Sequence, residues 1–101
     1  EYSKELFVNK KSKTDLENAP VMLKIAVDEL TQLSEWNHDS IHDCLINLAE
    51  KLQVKNGTIM WPVRIAVSGM TVTPGGAIEI LEILGREESL KRLNFGLEKL
   101  S

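Results

Sequence analysis

The sequence predicts an all-α fold, a compact bundle of about five to six helices. This prediction depends on three observations. Apolar residues recur at three- and four-residue spacing along nearly the whole chain, as on the buried face of a helix. Capping and turn-forming residues separate these stretches, which leaves loops of about three to eight residues. The 101 residues are 43% hydrophobic, so they can form one modest core and one domain at most.

The first half of the chain contains two predicted helices after a short amphipathic piece, residues 1–8, and a polar loop. The first helix includes Pro20 in its first turn, where the missing N–H of proline would have no partner. The second begins near Asp39 or Ser40, which can both cap a helix. The predicted buried stripes are Met22, Leu23, Ala26, Val27, Leu30 and Leu33, and then Ile41, Leu45, Leu48 and Leu52.

The stretch after the Asn56-Gly57 turn signal is open to two interpretations. Residues 59–67 are short, apolar and rich in β-branched side chains, as in a buried strand. Pro62 argues against a central strand, because it would remove a ladder hydrogen bond, whereas the first turn of a helix tolerates it. Ile59, Val63, Ala66 and Val67 also lie on one helical face. We therefore predict a helix after the turn, with this face buried, which ends at Gly69 in the left-handed conformation.

Two further helices are predicted in the last third of the chain. Thr73 followed by Pro74 is the favoured order at a helix start, with threonine as the cap and proline at the first helical position. Gly85 is predicted to end this helix. Glu87 and Glu88 then lie in the first turn of the last helix, where acidic side chains suit the helix dipole. The apolar stripes are Ile78, Leu81 and Leu84, and Leu90, Leu93, Leu97 and Leu100.

Composition excludes several classes of protein. The net charge of −3 argues against a nonspecific nucleic-acid binder, and we expect no DNA partner, but a small base-reading site is compatible with it. No apolar run is long enough to span a membrane. The single cysteine rules out an internal disulfide and fits a reducing compartment, so we expect a cytoplasmic protein. Because the chain starts with Glu1 and not with methionine, we expect a fragment of a longer protein.

A metal site is suggested weakly by two histidines. His38 and His42 are four residues apart, the spacing of a metal-binding helix, and each has an aspartate beside it. A metal-dependent hydrolase would need a third ligand and a base, and nothing else in the sequence supplies them. We therefore predict no metal site. Cys44 has apolar neighbours and no activating base, so we predict no catalytic residue either.

Arg64 is the one charged residue in the apolar stretch that precedes Gly69. Such a side chain must reach solvent, a carboxylate or a ligand. From residue type alone, the favoured interpretation is an arginine whose charged end reaches solvent or forms a salt bridge, for example to Glu79 or Glu82.

The predicted helix start gives Arg64 another possible role. Backbone N–H groups of Gly75, Gly76 and Ala77 would be unhindered there and could meet a phosphate or a base edge. An arginine plane beside them suits an unstacked base of single-stranded RNA, and Trp61 could offer a stacking face, although a core position is favoured for it.

At these residues the sequence resembles a known family. Residues 57–69 read GTIMWPVRIAVSG, residues 73–75 read TPG, residues 78–85 read IEILEILG and residues 88–93 read ESLKRL. They resemble the Pro-Leu-Arg-x-Ala-Leu-Thr-Gly motif, and its continuation through Pro-Gly, Phe-Glu-Ile and Leu-Gly, in the C-terminal anticodon-binding domain of bacterial-type glutamyl-tRNA synthetases. The resemblance is specific over residues 57–93 and weaker upstream.

The resemblance implies a role for individual residues. Arg64 matches the arginine of the motif, which contacts anticodon bases. Thr73 and Pro74 match residues at the helix start that also face the anticodon, and Gly75 and Gly76 would contribute backbone contacts. This sequence departs from the family at Gly76 and Ala77, where many members have Leu-Phe. The apolar base contact made by that leucine is therefore not available at Gly76.

The resemblance also implies what larger enzyme the chain is part of and which partners it has. Residues 1–101 would form one anticodon-binding domain of an enzyme that attaches glutamate to tRNA-Glu with ATP and Mg²⁺. The expected partners are the tRNA-Glu anticodon arm and the remaining domains of the synthetase. The catalytic motifs are absent from these residues, so no cofactor is expected in this part and the fragment alone would not be catalytic. The alternative is a helical protein-interaction module without RNA binding, which the leucine stripes would also permit.

Overall fold

A computed structural model describes residues 2–101, and within them the regular structure is helical, as predicted. A single isolated bridge joins Asn9 and Thr14. No helix in this range is long and apolar enough to cross a membrane. A 3₁₀ turn at Lys4–Phe7 precedes four α-helices, which are α1 at Asn18–Thr31, α2 at His38–Leu52, α3 at Asn56–Ser68 and α4 at Ala77–Leu100.

The predicted count of about five to six helices is slightly too high, because the last two predicted helices form one element, α4, whose backbone leaves the helical conformation at Gly85 as predicted. Gly85 has φ 82° and ψ 167°, but helical residues continue directly on both sides. In an undistorted helix the Leu81 carbonyl would accept a hydrogen bond from residue 85. Here it accepts from Trp36 Nε1 at 2.8 Å and from Ser89 Oγ at 3.1 Å. Two side chains therefore satisfy the carbonyl next to the kink, and α4 continues through it.

The helical interpretation of residues 59–67 is correct, and the strand alternative is wrong. Gly69 ends α3 in the left-handed conformation, with φ 68° and ψ 17°, as predicted. The start differs, since Asn56 is already helical and Pro62 therefore lies in the second turn and not the first. α2 also starts earlier than expected: Asn37 is its cap, and the Asn37 side chain accepts a hydrogen bond from the Ser40 N–H at 2.9 Å.

The core receives one face of every α-helix, and the predicted stripes supply most of it. Most residues of these stripes are buried, whereas Met22, Leu33, Leu52 and Leu90 are among those that are only partly buried. α3 is the most enclosed helix, because Pro62 and Ile65 are buried in addition to the predicted face. The buried members of the predicted stripes are Leu23, Ala26, Val27, Leu30, Ile41, Leu45, Leu48, Ile59, Val63, Ala66, Val67, Leu81 and Leu93.

The N-terminal segment is held against α3 by hydrogen bonds from α3 side chains. Trp61 Nε1 donates to the Leu6 carbonyl at 2.9 Å, and Thr58 Oγ1 donates to the Ser12 carbonyl at 2.6 Å. Phe7, which lies between the two acceptor residues in the sequence, is fully buried. These contacts fix the position of the Trp61 ring, which is half-buried and lies beside Arg64.

Candidate nucleic-acid interface

A cleft of about 360 Å³ lies between α3 and the start of α4. One wall is formed by α3, with Trp61 and Arg64. The opposite wall is formed by the first turn of α4, with Gly76, Ala77 and Glu79. The cleft therefore brings an arginine and an aromatic ring of α3 next to the N-terminus of a helix that begins 12 or more positions later in the sequence.

The Arg64 guanidinium is available at the cleft. Its Cζ lies 6.0 Å from the centroid of the Trp61 ring, close enough for a cation–π contact. The salt bridge to Glu79 or Glu82, one of the two arrangements that residue type favours, does not form. Among residues 2–101, the Arg64 side chain makes no ion pair and no hydrogen bond. Its N–H donors can therefore meet a ligand without first breaking a hydrogen bond or an ion pair within the described chain.

The predicted start of α4 at Thr73 and Pro74 is wrong. The helix begins at Ala77, and Gly76 is its cap. The Thr73 hydroxyl does not cap the helix, because it donates to the carbonyl of Gly75 inside the preceding turn. The Gly76 N–H donates to Glu79 Oε1 at 2.9 Å. A carboxylate three residues into the helix thus closes on the cap residue, as in a capping box, and moves the start by about one turn.

This start changes which backbone groups can reach a ligand. The Gly76 N–H, expected to be unpaired, is taken by Glu79. The N–H of Ala77 belongs to the first turn of α4, where an intrahelical acceptor is missing, and Ala77 lines the cleft. Thr73, Pro74 and Gly75 do not line it; they lie in the turn that leads to it. The structure therefore brings Arg64 and Gly76 together in the cleft. Thr73, Pro74 and Gly75 lie outside it, in the segment that precedes α4.

Glu79 is a cleft residue that the sequence reasoning did not assign to the site. Its own backbone N–H holds the pKa of the carboxyl below its usual range, and hydrogen bonds from His38 and from the Gly76 N–H act in the same direction. A capping-box spacing, with a cap residue and a glutamate three positions later, is the signal that could have found it. The Thr73-Pro74 pair is the stronger local signal for a helix start.

The two histidines of α2 belong to separate polar pairs. His38 Nε2 lies 3.2 Å from Glu79 Oε2, and His42 Nδ1 lies 3.2 Å from Asp43 Oδ1. Their rings are stacked, with centroids 6.0 Å apart. Within the described residues, no group of three histidine, cysteine, aspartate or glutamate side chains could hold a metal ion. Burial, with the charge of a nearby glutamate, raises the pKa of the half-buried Cys44 thiol to about 11, so it is a poor nucleophile at neutral pH.

A larger groove, of about 550 Å³, lies between the end of α3 and the second half of α4. Its charged side chains are mixed, since Glu88 and Glu98 stand beside Lys91 and Arg92. Arg92 is already used, because it donates to Glu88 at 2.7 Å and to the Val67 carbonyl at 2.8 Å. By volume, this groove is the better candidate for an RNA-binding site. The smaller cleft has the hydrogen-bond donors that are not already used, and such donors matter more for reading a base.

Comparison with known proteins gives a family. Residues 1–97 match a family model described as "Anticodon binding domain". Similar proteins include the glutamate–tRNA ligases of Clostridium tetani, 52% identical, and Clostridium kluyveri, 49% identical, each over 99% of this chain and 20% of the relative. The chain thus spans about a fifth of the length of these curated relatives.

A solved structure has the same fold. It is the crystal structure of a glutamate tRNA ligase from Elizabethkingia meningosepticum in complex with its amino acid. The likeness has a TM-score of 0.79 at 23% identity and covers 99% of this chain and 20% of that one. At this identity the likeness shows the fold, and it confirms that the helices are arranged as in part of a known protein.

Proposed function

Because the chain belongs to the anticodon-binding domain family, we propose that it recognises the anticodon arm of tRNA-Glu as a domain of a glutamate–tRNA ligase. The domain would comprise residues 1–101 and would lie in the C-terminal part of the enzyme. The remaining domains would attach glutamate to tRNA-Glu with ATP and Mg²⁺, in the cytoplasm. This chain would contribute selection of the tRNA and no catalytic group. Its partners would be the tRNA and those domains.

One observation carries the proposal: Arg64, without a polar partner among the described residues, faces the first turn of α4 across the cleft. A base that has left its stack can lie in such a cleft and present its edge to both walls. Arg64 would donate hydrogen bonds to that edge, and its contact with Trp61 would hold the guanidinium plane. Because recognition would depend on a few contacts to bases, it is compatible with a net charge of −3.

The opposite wall suits a close approach of RNA. Gly76 has no side chain, so a base or sugar can approach its backbone, and the Ala77 N–H is the donor offered there. Thr73, Pro74 and Gly75 would face the neighbouring nucleotides of the loop from the turn before α4. The leucine contact of other family members would be replaced at Gly76 by backbone contact alone. A helical protein-interaction module is not supported, because the family match concerns anticodon binding.

The proposal is tested by changing the anticodon and leaving the rest of the tRNA intact. We expect the chain to bind tRNA-Glu at least about tenfold more tightly than the same tRNA with a swapped anticodon. Each base-edge contact is worth about 1–3 kcal/mol by analogy with base readout in DNA, and tenfold corresponds to about 1.4 kcal/mol. Affinity is measured by fluorescence anisotropy at one fixed salt concentration. Equal affinity for the two tRNAs would contradict the proposal.

A further inference from the structure

A chain of hydrogen bonds connects α2 to the wall of the cleft. His38, the first residue of α2, approaches Glu79 Oε2 through Nε2 at 3.2 Å. The other oxygen of the same carboxylate, Oε1, accepts from the Gly76 N–H at 2.9 Å. Gly76 and Glu79 both line the cleft, whereas His38 does not. A side chain outside the cleft is therefore linked, through one carboxylate, to a backbone group inside it.

The groups that face His38 are mostly acidic. Asp39, on its own helix, places Oδ1 3.5 Å from His38 Nδ1. Glu79 and Glu82 face it from α4, and the His42 ring stacks against it from the next turn of α2. Hydrogen bonds to Asp39 and then to Glu79 raise the pKa of His38 above its usual value of about 6.5. The ring therefore keeps its proton to a higher pH than an isolated histidine side chain does.

Protonation decides how many carboxylates His38 can hold. A protonated imidazole donates from both nitrogens, so Nδ1 can serve Asp39 and Nε2 can serve Glu79 at the same time. A neutral imidazole has one N–H, and the two carboxylates compete for it. Bonds between a charged donor and a carboxylate are also stronger. Glu79 is therefore held most firmly when His38 is protonated.

We propose that His38 is a positioning residue for the anticodon cleft, which holds Glu79 in place so that Glu79 fixes the Gly76 backbone for contact with RNA. The inference rests on the proposed function of the cleft. It predicts a sign. Because the folded-state pKa of His38 is raised, the hold is complete below the ordinary histidine pKa and is lost as the pH rises through the raised value. Affinity for tRNA-Glu should fall over that interval.

The connection itself is tested without RNA. The amide proton shift of Gly76 is followed by NMR between about pH 5.5 and 8.5, a range in which Glu79 stays ionised because its pKa is lowered. In the wild-type chain the Gly76 shift should titrate with the same midpoint as the His38 ring. His38→Gln should abolish this titration, because glutamine keeps an N–H donor but does not ionise. A flat Gly76 profile in the wild type, or an unchanged one in His38→Gln, would overturn the inference.

The effect on binding is tested by the pH profile of affinity for tRNA-Glu, with His42→Gln as the matched control. His42 lies one turn further along α2 and pairs with Asp43, so its replacement removes a neighbouring histidine side chain without touching Glu79. We expect the wild type and His42→Gln to lose affinity several-fold between about pH 6 and pH 8, and His38→Gln to stay flat. His38→Ala should bind weakly throughout, and glutamine should restore binding at pH 8.

Two results of the binding experiment would overturn the inference: equal flattening in both glutamine variants, which would assign the pH effect to overall charge, or an undiminished slope in His38→Gln. The failure of the proposed function has a different signature, which is equal affinity for tRNA-Glu and for its anticodon-swapped form. The Gly76 titration is recorded without RNA. It therefore tests the link from His38 through Glu79 to Gly76 whether or not the two tRNAs bind with equal affinity.

Discussion

Replacing Arg64 by alanine should weaken binding of tRNA-Glu by about 10- to 100-fold and leave the fold intact. The guanidinium makes no hydrogen bond or ion pair within residues 2–101, so the protein loses little when it is removed. The RNA would lose the edge contacts of one base, each good contact being worth about 1–3 kcal/mol by analogy with DNA readout. Affinity is measured by anisotropy, and thermal unfolding of the same sample checks the fold.

The matched control for Arg64→Ala is Lys24→Ala. Lys24 is exposed on α1, pairs with Asp28 at 3.0 Å and does not line the cleft. Both changes remove one positive charge, so they alter long-range attraction to RNA equally. We expect Lys24→Ala to reduce affinity less than about twofold, since a lone exposed charge contributes little. If both variants lose the same affinity, Arg64 acts only through its charge and the base contact proposed for it is wrong. If Arg64→Ala binds like the wild type, the cleft is not the site.

Replacing Gly85 by alanine should destabilise the domain by about 1–3 kcal/mol. Gly85 has φ 82° and ψ 167°, a region of backbone space open essentially to glycine alone. A Cβ built there meets nothing within 4 Å, so the cost comes from the backbone and not from a clash. The midpoint of thermal unfolding should fall by about 4–8 °C per kcal/mol for a domain of this size.

Ile83→Ala is the control for Gly85→Ala, because Ile83 is 82% exposed and lies in a regular turn of the same helix. We expect its unfolding free energy to change by no more than about 0.5 kcal/mol. A wild-type stability in Gly85→Ala would mean that α4 can straighten at no cost, and the kink would then have no part in placing Trp36 against the Leu81 carbonyl.

The helices and the core could be predicted because their signals are local. Apolar spacing placed Leu23, Leu45 and Leu81 in the interior correctly, and Gly69 ended α3 as a glycine at that position should. These features depend on residues a few positions apart.

The errors fall where a distant residue decides between local signals. Thr73-Pro74 and Gly76 with Glu79 are both reasonable starts for α4, and His38, 41 positions away, supports the second by its bond to Glu79. Gly85 interrupts the helical backbone where a stop was predicted, and Trp36, 45 positions before Leu81, donates to the Leu81 carbonyl that this kink leaves without its backbone partner. Neither contact can be inferred from spacing along the chain. The Glu79 contribution to the cleft was missed for the same reason.

The most direct test of the central claim, that the cleft between α3 and α4 holds an anticodon base, is an NMR titration of the isotope-labelled chain with the anticodon stem-loop of tRNA-Glu. We expect the largest shifts at the Arg64 side chain, the Trp61 indole and the amides of Gly76 and Ala77. Shifts confined to the larger groove around Lys91 would contradict it, as would the same cleft shifts with a stem-loop whose anticodon has been replaced.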